Sequence, residues 1–189
     1  PGLGTIQPSQ ADYFQAVKGG GHGDYHLIVL APNSVQEMYD FVPLGFELAF
    51  KYRNPVMILS DGVIGQMMEK VMLTEPQPRW SDAYIAEHWG GWATTGKPAD
   101  RKRNIVTSVE LDPLRQERFN LKLSEKYRTI RENEVRYEAV QCDDADYVLV
   151  AYGSSARISQ KAVELAREEG LKVGLLRPVT LYPFPTGAI

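Results

Sequence analysis

Short apolar runs alternate along the chain with segments that have helical spacing. The runs at residues 26–31, 56–60, 147–151 and 172–176 are bounded by turn-forming residues, which is typical of buried strands. Between them, apolar side chains recur three or four positions apart, the spacing of one helix face. Strands that alternate with helices predict an α/β fold, with parallel sheets flanked by helices and right-handed crossovers.

Helix start signals follow two of these runs. Ser34 has Glu37 three residues later, the capping-box pattern, and opens a helix in which Pro43 predicts a kink or a second start. Residues 153–155, Gly-Ser-Ser, lead into another helix, which Gly170 is expected to end. We expect both helices to pack on the sheets.

The middle of the chain breaks the alternation. Residues 75–112 are rich in Pro and Gly and contain all three tryptophans. Because tryptophans left in water are costly, we expect an ordered arm that packs on a neighbouring surface. Asp112 and Pro113 then predict the start of a charged helix that ends near Arg136.

The chain is expected to be a piece of a longer protein. It begins without Met in a loop-like stretch, and the two strands and one helix after residue 137 are too few for an independent core. Apolar faces of that part are expected to stay exposed or to self-associate. This organisation predicts residues 1–74 as a first α/β domain, residues 75–136 as a linker arm with the charged helix, and residues 137–189 as a truncated second α/β domain.

Composition and charge mainly exclude certain partners and kinds of site. With 21 basic and 24 acidic residues the net charge is −3, so no excess of positive charge points to nucleic acid or an anionic membrane. The single cysteine, Cys142, excludes an internal disulfide and an iron–sulfur cluster held by this chain alone. No apolar run approaches the roughly 20 residues of a membrane span. We therefore expect a cytoplasmic protein.

Three consecutive glycines, Gly19, Gly20 and Gly21, precede the first strand. A phosphate-binding loop follows a strand and opens a helix, and this loop does the reverse, so phosphate binding is the weaker interpretation. Two alternatives stay open. The glycines end a helix at residues 13–18 and form a turn, or they let the backbone come close to a ligand or a partner subunit.

A few polar residues have the chemistry of a site. His22 lies in the glycine loop near Asp24, a pair that can orient an imidazole for proton transfer or for binding a carboxylate, although a polar surface loop has the same composition. The three histidines lack the spacing of zinc ligands, so we predict no metal site. Asp61-Gly62 closes a strand at the edge where α/β sheets bind ligands, or is a simple turn. Gly153-Ser154-Ser155 can hold an anion at the N-terminus of the helix that follows, or is a plain helix start capped by Ser.

Three long stretches resemble one enzyme family. They are residues 1–41 (PGLGTIQPSQADYFQAVKGGGHGDYHLIVLAPNSVQEMYDF), 51–71 (KYRNPVMILSDGVIGQMMEKV) and 148–185 (VLVAYGSSARISQKAVELAREEGLKVGLLRPVTLYPFP). These stretches are similar to the alpha subunits of 2-oxoacid:ferredoxin oxidoreductases, most closely the 2-ketoisovalerate type. The resemblance implies a thiamin-diphosphate-fold pyrimidine-binding domain followed by the start of a domain like the C-terminal one of transketolase.

The resemblance also implies a reaction and partners. A branched-chain 2-oxoacid is decarboxylated oxidatively with thiamin diphosphate, coenzyme A takes the acyl group, and electrons pass through iron–sulfur clusters to ferredoxin. A beta subunit shares the cofactor and supplies the Mg²⁺ and diphosphate contacts. The clusters lie in partner chains, among them gamma and delta ferredoxin-like subunits.

The family's pyrimidine-activating glutamate and its substrate-binding arginine lie upstream of Pro1 by this resemblance, so neither can be assigned here, and the chain alone is expected to be inactive. His22 is the candidate catalytic residue that remains. The residues expected to line the approach to the cofactor are Thr5, Gln7, Gln10 and Gly21. Two alternatives stay open: a component of an E1-type 2-oxoacid dehydrogenase or a transketolase-like enzyme, and a non-catalytic assembly module.

Overall fold

The computed structural model of the protein describes residues 10–19, 21, 23–94, 96, 97, 99, 100 and 102–189. These residues form two compact units. The larger unit contains the described residues up to Met72 together with Arg118–Ile189, and the smaller unit is Leu73–Glu117. No helix within the described ranges is long and apolar enough to cross a membrane.

Within the part that the structure describes, the chain contains two strand–helix–strand units, as predicted, with three successive helices between them. The helices among the described residues are α1 (Tyr13–Lys18), α2 (Val35–Tyr52), α3 (Gly62–Gln66), α4 (Asp82–Trp89), α5 (Pro113–Asn133) and α6 (Gly153–Glu168). The strands are β1 (Ile28–Leu30), β2 (Val56–Ile58), β3 (Tyr137–Val140), β4 (Tyr147–Val150), β5 (Val173–Pro178) and β6 (Thr180–Tyr182), and a 3-10 helix spans Thr186–Ala188. The predicted α/β class is confirmed.

The first sheet has the strand order β2-β1-β6. β1 and β2 are parallel, with Val29 opposite Met57, and α2 forms the crossover between them, as predicted. β6 is antiparallel to β1 and was not predicted from the sequence. Through β6, the C-terminal part of the chain contributes to the first sheet.

The second sheet has the strand order β3-β5-β4. β4 and β5 are parallel and joined by α6, which confirms the predicted strand–helix–strand unit, whereas the antiparallel β3 was not predicted. The prediction that β4 is buried is wrong. β4 is an edge strand, and its residues are between 38% and 69% exposed. The exposed apolar face expected for this part of the chain is therefore present.

The core of the larger unit lies on both faces of β1. Ile28 packs with α2 and with Tyr127 and Ile130 of α5, and Leu30 packs with α2 on the same face. Val29 points to the other face and packs against α1. This is the alternation of side chains across a strand, and all three β1 residues are 0% exposed. β1 is thus the centre of the unit.

Two helix predictions need correction. α2 runs through Pro43 as one helix, because Phe41 and Leu48 on either side are both buried in the core, so a second start does not occur. α5 begins at Pro113, as predicted, but ends at Asn133, slightly earlier than expected. The residues that follow Asn133 lead into the extended strand β3, which pairs with β5.

The smaller unit contains α4, which was not predicted. Ser81 caps this helix by accepting a hydrogen bond from the Tyr84 N–H at 3.2 Å. Trp80 packs against Trp89, with ring centroids 4.3 Å apart, and stacks on Tyr84 at 6.0 Å. Within this arm, Trp80, Tyr84 and Trp89 therefore pack against one another.

His26 lies just before β1 between two tyrosine rings. Its ring stacks on Tyr182, with centroids 4.4 Å apart, and meets Tyr127 edge-on at 4.9 Å. Its Nδ1 is buried and has no hydrogen-bond partner in the described part of the chain. Burial lowers the pKa of His26; a hydrogen bond with the Val17 backbone opposes this in part, and the charge of Arg131 lowers the pKa further. The folded protein therefore resists protonation of this ring.

The free energy of unfolding is expected to fall as the pH drops below about 6.5, the pKa of an unperturbed histidine. Between that pH and the lower pKa in the folded state, the unfolded chain binds a proton that the folded protein does not, so acid favours unfolding. His26→Phe keeps an aromatic ring but cannot titrate. It should therefore reduce the slope of the free energy of unfolding against pH. Urea unfolding at several pH values measures it, and an unchanged slope in His26→Phe would contradict the assignment.

Candidate functional site

Three strand ends lie close together at one edge of the larger unit. A helix follows each of β1, β2 and β4 within a few residues, namely α2, α3 and α6. Asp61, after β2, accepts a hydrogen bond from the Ser154 N–H of α6, and Arg157 of α6 donates from Nη1 to the carbonyl oxygen of Asn33, after β1, at 3.3 Å. Ligands of α/β proteins bind outside the carboxyl ends of the strands. This edge is therefore the candidate site.

Asp61 joins two helix N-termini. Its Oδ1 accepts hydrogen bonds from the N–H groups of Val63 and Ile64 in α3, both at 3.1 Å. Its Oδ2 accepts from the Ser154 N–H at 2.7 Å. Negative charge is favourable at a helix N-terminus, where N–H groups lack intrahelical partners. One carboxylate thus ties the β2–α3 turn to the β4–α6 turn.

Hydrogen bonds keep this carboxylate charged although it is only 8% exposed. Burial raises the pKa of Asp61, because it disfavours the charged form. The bonds from the Ser154 N–H and hydroxyl and from the N–H groups of Ile64 and Val63 outweigh burial, so the net pKa of Asp61 lies below its usual value. Asp61 is therefore ionised at neutral pH and is suited to holding the turns together, not to donating a proton.

Gly153 allows Asp61 to come close to the backbone at the start of α6. Its φ is +59°, in the left-handed region that glycine adopts without a steric penalty. A Cβ at this position would lie 2.7 Å from Asp61 Oδ2 and 3.1 Å from Gln10 Nε2. Gln10 Nε2 itself donates to the carbonyl oxygen of Tyr152 at 2.8 Å. The segment that enters α1 is therefore fastened to the β4–α6 turn.

A small cavity lies beside this junction. Its volume is about 30 Å³, enough for one water molecule, and its lining includes Gln10, Asp12, Ser60, Asp61 and Tyr152. A cavity of this size does not admit a cofactor. A cofactor at this edge would therefore bind outside the junction, against its outer surface.

Side chains also occupy the N-terminus of α2. Ser34 Oγ accepts a hydrogen bond from the Glu37 N–H at 3.2 Å, which confirms the predicted cap. Glu37 Oε2 accepts from the Asn33 N–H at 2.8 Å, one residue earlier than a capping box requires. Glu69 Oε2 accepts from the Val35 N–H at 3.0 Å. The N-terminus of α2 thus has three protein acceptors of its own.

Arg177 of β5 holds Glu37 from the second sheet. Arg177 is 1% exposed and forms two hydrogen bonds with Glu37, Nη1 to Oε2 at 2.8 Å and Nη2 to Oε1 at 2.7 Å. Its Nε donates to Glu138 Oε2 at 2.9 Å. Paired bonds of this kind restrict both side chains to one geometry. Glu37 therefore caps α2 and also joins the two sheets, a role that helical spacing does not indicate.

Of the predicted cofactor-binding residues that the structure describes, Gln10 lies at this junction and Gly21 does not. Gly21 is exposed, and a Cβ there would meet nothing within 4 Å, so no contact within the described chain requires a glycine at this position. Gly19 and Gly23 have φ values of +83° and +110°, which supports the turn interpretation of the glycine loop. The other predicted residues, Thr5, Gln7 and His22, lie outside the described residues.

The anion that was one alternative for the N-terminus of α6 is a side chain of the protein itself. Asp61 fills that position from 93 residues earlier in the chain. The alternative of a plain serine cap is wrong, because Tyr152 is the N-cap residue and makes no side-chain capping bond. The simple-turn alternative for Asp61-Gly62 is also incomplete, because Asp61 caps α3. No local sequence signal could have found this contact.

Two family models match the chain. Residues 1–131 match the model described as pyruvate flavodoxin/ferredoxin oxidoreductase, thiamine diphosphate-binding. Residues 145–189 match the model described as pyruvate:ferredoxin oxidoreductase core domain II. The expected order, a thiamin-diphosphate-binding domain followed by a second α/β domain, is confirmed.

Two relatives illustrate the range of similarity. The ketoisovalerate oxidoreductase subunit VorB of Methanothermobacter marburgensis is 54% identical to this chain. The alignment covers 100% of this chain and 52% of that protein. The 2-oxoglutarate synthase subunit KorA of Methanocaldococcus jannaschii is 35% identical, over 97% of this chain and 55% of that protein. The chain thus spans about half the length of the curated relatives it matches.

A solved structure has the same fold. The 2-oxoglutarate:ferredoxin oxidoreductase from Magnetococcus marinus, determined with 2-oxoglutarate, coenzyme A and succinyl-CoA bound, gives a TM-score of 0.73 at 24% identity. The match covers 97% of this chain and 36% of that one. It supports the arrangement of strands and helices described above.

Proposed function

The chain belongs to the pyruvate flavodoxin/ferredoxin oxidoreductase family, and from this premise we propose that it acts as part of the alpha subunit of a thiamin-diphosphate-dependent 2-oxoacid:ferredoxin oxidoreductase. The proposed reaction is the oxidative decarboxylation of a branched-chain 2-oxoacid to an acyl-CoA, with electrons passing to ferredoxin. Similarity to a ketoisovalerate oxidoreductase subunit at 54% identity favours a branched-chain substrate over 2-oxoglutarate. The names of the relatives also favour this reaction over an E1-type dehydrogenase or a transketolase-like activity.

The observation that supports the proposed site is the occupation of the helix N-termini at its edge. Such termini are the usual places where α/β proteins bind phosphate groups. Here the N–H groups at the starts of α2, α3 and α6 donate to the protein's own Ser34, Glu69 and Asp61. The described part of this edge therefore suits the uncharged portion of a cofactor better than a diphosphate. This agrees with a beta subunit that holds the diphosphate.

Thiamin diphosphate, when bound, supplies the carbanion chemistry that allows a 2-oxoacid to lose carbon dioxide. The contribution proposed for this chain is to present polar groups and closely approaching backbone to the cofactor. Gln10 and Gly21 are the described residues proposed for this role. The remaining candidates, taken from the sequence, are Thr5, Gln7 and His22.

The proposed partners follow from the family resemblance. On that basis we assign the iron–sulfur clusters to partner subunits of gamma and delta type, and Mg²⁺ to the beta subunit. The single cysteine of the given sequence is consistent with this, because several thiolates hold a cluster. We retain the division into residues 1–74, 75–136 and 137–189 and a cytoplasmic location as parts of this proposal.

The test is oxidation of 3-methyl-2-oxobutanoate by the full-length protein assembled with its partner subunits. We expect ferredoxin reduction that requires both thiamin diphosphate and coenzyme A, because the acyl group must be transferred as electrons leave. The value of kcat/KM should be higher for this substrate than for 2-oxoglutarate. Initial rates with each substrate measure the difference.

Preparations that lack the alpha subunit serve as the control. Turnover without it, or without thiamin diphosphate, would contradict the proposed function. Binding of thiamin diphosphate that persists when the alpha subunit is omitted would favour the assembly-module alternative. A preference for 2-oxoglutarate would overturn the branched-chain assignment and leave the class of reaction intact.

A further inference from the structure

Three separate segments of the chain converge on Gly153. Asp61 approaches from the end of β2, and Tyr152 leads in from the end of β4. Gln10 approaches from the segment that precedes α1. The distances at this point are hydrogen-bond distances, 2.7 Å from Asp61 Oδ2 to the Ser154 nitrogen and 2.8 Å from Gln10 Nε2 to the Tyr152 carbonyl oxygen.

We propose that Asp61 and Gly153 are positioning residues, which hold Gln10 and the chain that enters α1 in the place required for cofactor binding. This rests on the proposed function, since it assumes that thiamin diphosphate binds at this edge. Neither Asp61 nor Gly153 is assigned a contact with the cofactor. Their effect is transmitted through Gln10 and the Tyr152 backbone.

The geometry gives the physical reason. Any side chain at position 153 would overlap Asp61 Oδ2, because a Cβ at 2.7 Å from that atom is closer than van der Waals contact permits. Asp61 cannot yield easily, since α3 and α6 both hold its oxygens. Gln10, whose amide would lie 3.1 Å from the same Cβ, is at the end of a flexible side chain. Because Asp61 is held, the 2.7 Å overlap is expected to be relieved by a shift of the turn at residues 152–153, which moves the Tyr152 carbonyl oxygen relative to Gln10.

The experiment compares two glycine substitutions in the full-length, assembled enzyme. Gly153→Ala introduces the overlap with Asp61 and Gln10. Gly170→Ala is the matched control, because Gly170 also has a left-handed φ, +84°, but a Cβ there meets nothing within 4 Å. Both variants impose backbone strain, because residues other than glycine rarely adopt a left-handed φ. Only Gly153→Ala disturbs the junction.

We expect Gly153→Ala to raise the dissociation constant of thiamin diphosphate at least about tenfold, the factor that corresponds to about 1.4 kcal/mol of binding free energy. Gly170→Ala should change it less than about twofold, although its backbone strain also lowers the thermal midpoint. Titration of the cofactor by calorimetry measures the first quantity, and thermal unfolding measures the second. A purely structural role would move the thermal midpoint and leave the dissociation constant unchanged.

A milder variant keeps the proposal testable if Gly153→Ala does not assemble. Gln10→Ala removes the hydrogen bond to Tyr152 and introduces no overlap. Its control is Asn133→Ala, which also removes a side-chain amide bond to a backbone carbonyl, that of Thr129 at 2.7 Å, but at the far end of α5. We expect Gln10→Ala to weaken cofactor binding by about three- to tenfold, the range of one net hydrogen bond, and Asn133→Ala to leave it unchanged.

The outcomes separate this inference from the function it rests on. Weaker cofactor binding in Gly153→Ala, with Gly170→Ala unaffected, supports it; weaker binding in Gln10→Ala shows that Gln10 is needed, whether it is positioned by the junction or contacts the cofactor itself. Unchanged binding in both variants, when the unmodified enzyme binds thiamin diphosphate, overturns the positioning role and leaves the proposed function intact. If the unmodified assembled enzyme does not bind thiamin diphosphate, the proposed function fails and this inference fails with it.

Discussion

Arg177→Met is expected to lower the free energy of unfolding by about 3–5 kcal/mol, the cost of breaking a buried ion pair by removing one partner. Methionine keeps much of the side-chain volume but removes the charge that balances Glu37 and Glu138. Glu37 is the more affected of the two, since its side chain is 20% exposed, against 54% for Glu138. The loss should appear as a lower midpoint in urea unfolding of the full-length protein.

Arg128→Met is the matched control. Arg128 also contacts two carboxylates, Glu125 at 2.5 and 3.0 Å and Glu132 at 2.8 Å, but it does so on the exposed surface of α5. Water and salt screen such pairs, so this variant should shift the midpoint far less. Equal losses in Arg177→Met and Arg128→Met would show that burial does not set the strength of the Arg177 contacts.

The double variant Glu37→Gln, Arg177→Met adds a second check. It removes the carboxylate that Arg177→Met leaves unpaired, so it should be more stable than Arg177→Met alone. Substitutions at contacting residues are expected to have non-additive effects on the free energy of unfolding. A double variant that loses the sum of the two single-variant losses would therefore contradict this explanation.

His22→Ala is expected to lower turnover of the assembled enzyme by about ten- to ten-thousand-fold if the imidazole transfers a proton or stabilises a developing charge. The effect should appear in kcat, with subunit assembly unchanged. If the imidazole only binds substrate, KM should rise and kcat should change far less. Steady-state kinetics with a branched-chain 2-oxoacid distinguish the two.

His88→Ala is the control for this substitution. His88 lies on α4 in the smaller unit, with its Nδ1 3.0 Å from the Tyr84 carbonyl oxygen, and has no part in the proposed site. Its replacement should leave both kinetic constants unchanged. If His22→Ala behaves in the same way, with stability altered by less than about 0.5 kcal/mol, His22 belongs to a surface loop and is removed from the site.

The strands that could be predicted are those that contain a continuous apolar run between turn formers. β1 and β2 are uninterrupted apolar runs between turn formers, and their parallel pairing follows from the helix that separates them. β3 could not be predicted, because Glu138 within it is polar and its Tyr137 is half exposed. β6 is only three residues long and is followed by Pro183, which resembles a loop until β1 is present to pair with it.

Burial was harder to predict than strand position. The run at residues 147–151 is as apolar as β1, and both were expected to be buried. β1 is fully buried because strands lie on both sides of it and helices lie on both of its faces, whereas β4 has a neighbour on one side only. Apolar composition indicates that a strand is able to be buried, but the number of its neighbours decides whether it is.

The N-terminus of α6 shows most clearly which features neighbouring residues predict and which depend on contacts between distant residues. The sequence was sufficient to place a helix start at Gly153 and to give a negative charge there as one of two alternatives, because glycine geometry and unpaired N–H groups depend on neighbouring residues alone. Only the tertiary structure decided that this charge is Asp61 and that Gln10 lies beside it. The sheets bring these residues together from distant parts of the chain, and no short-range pattern records which side chain will arrive there.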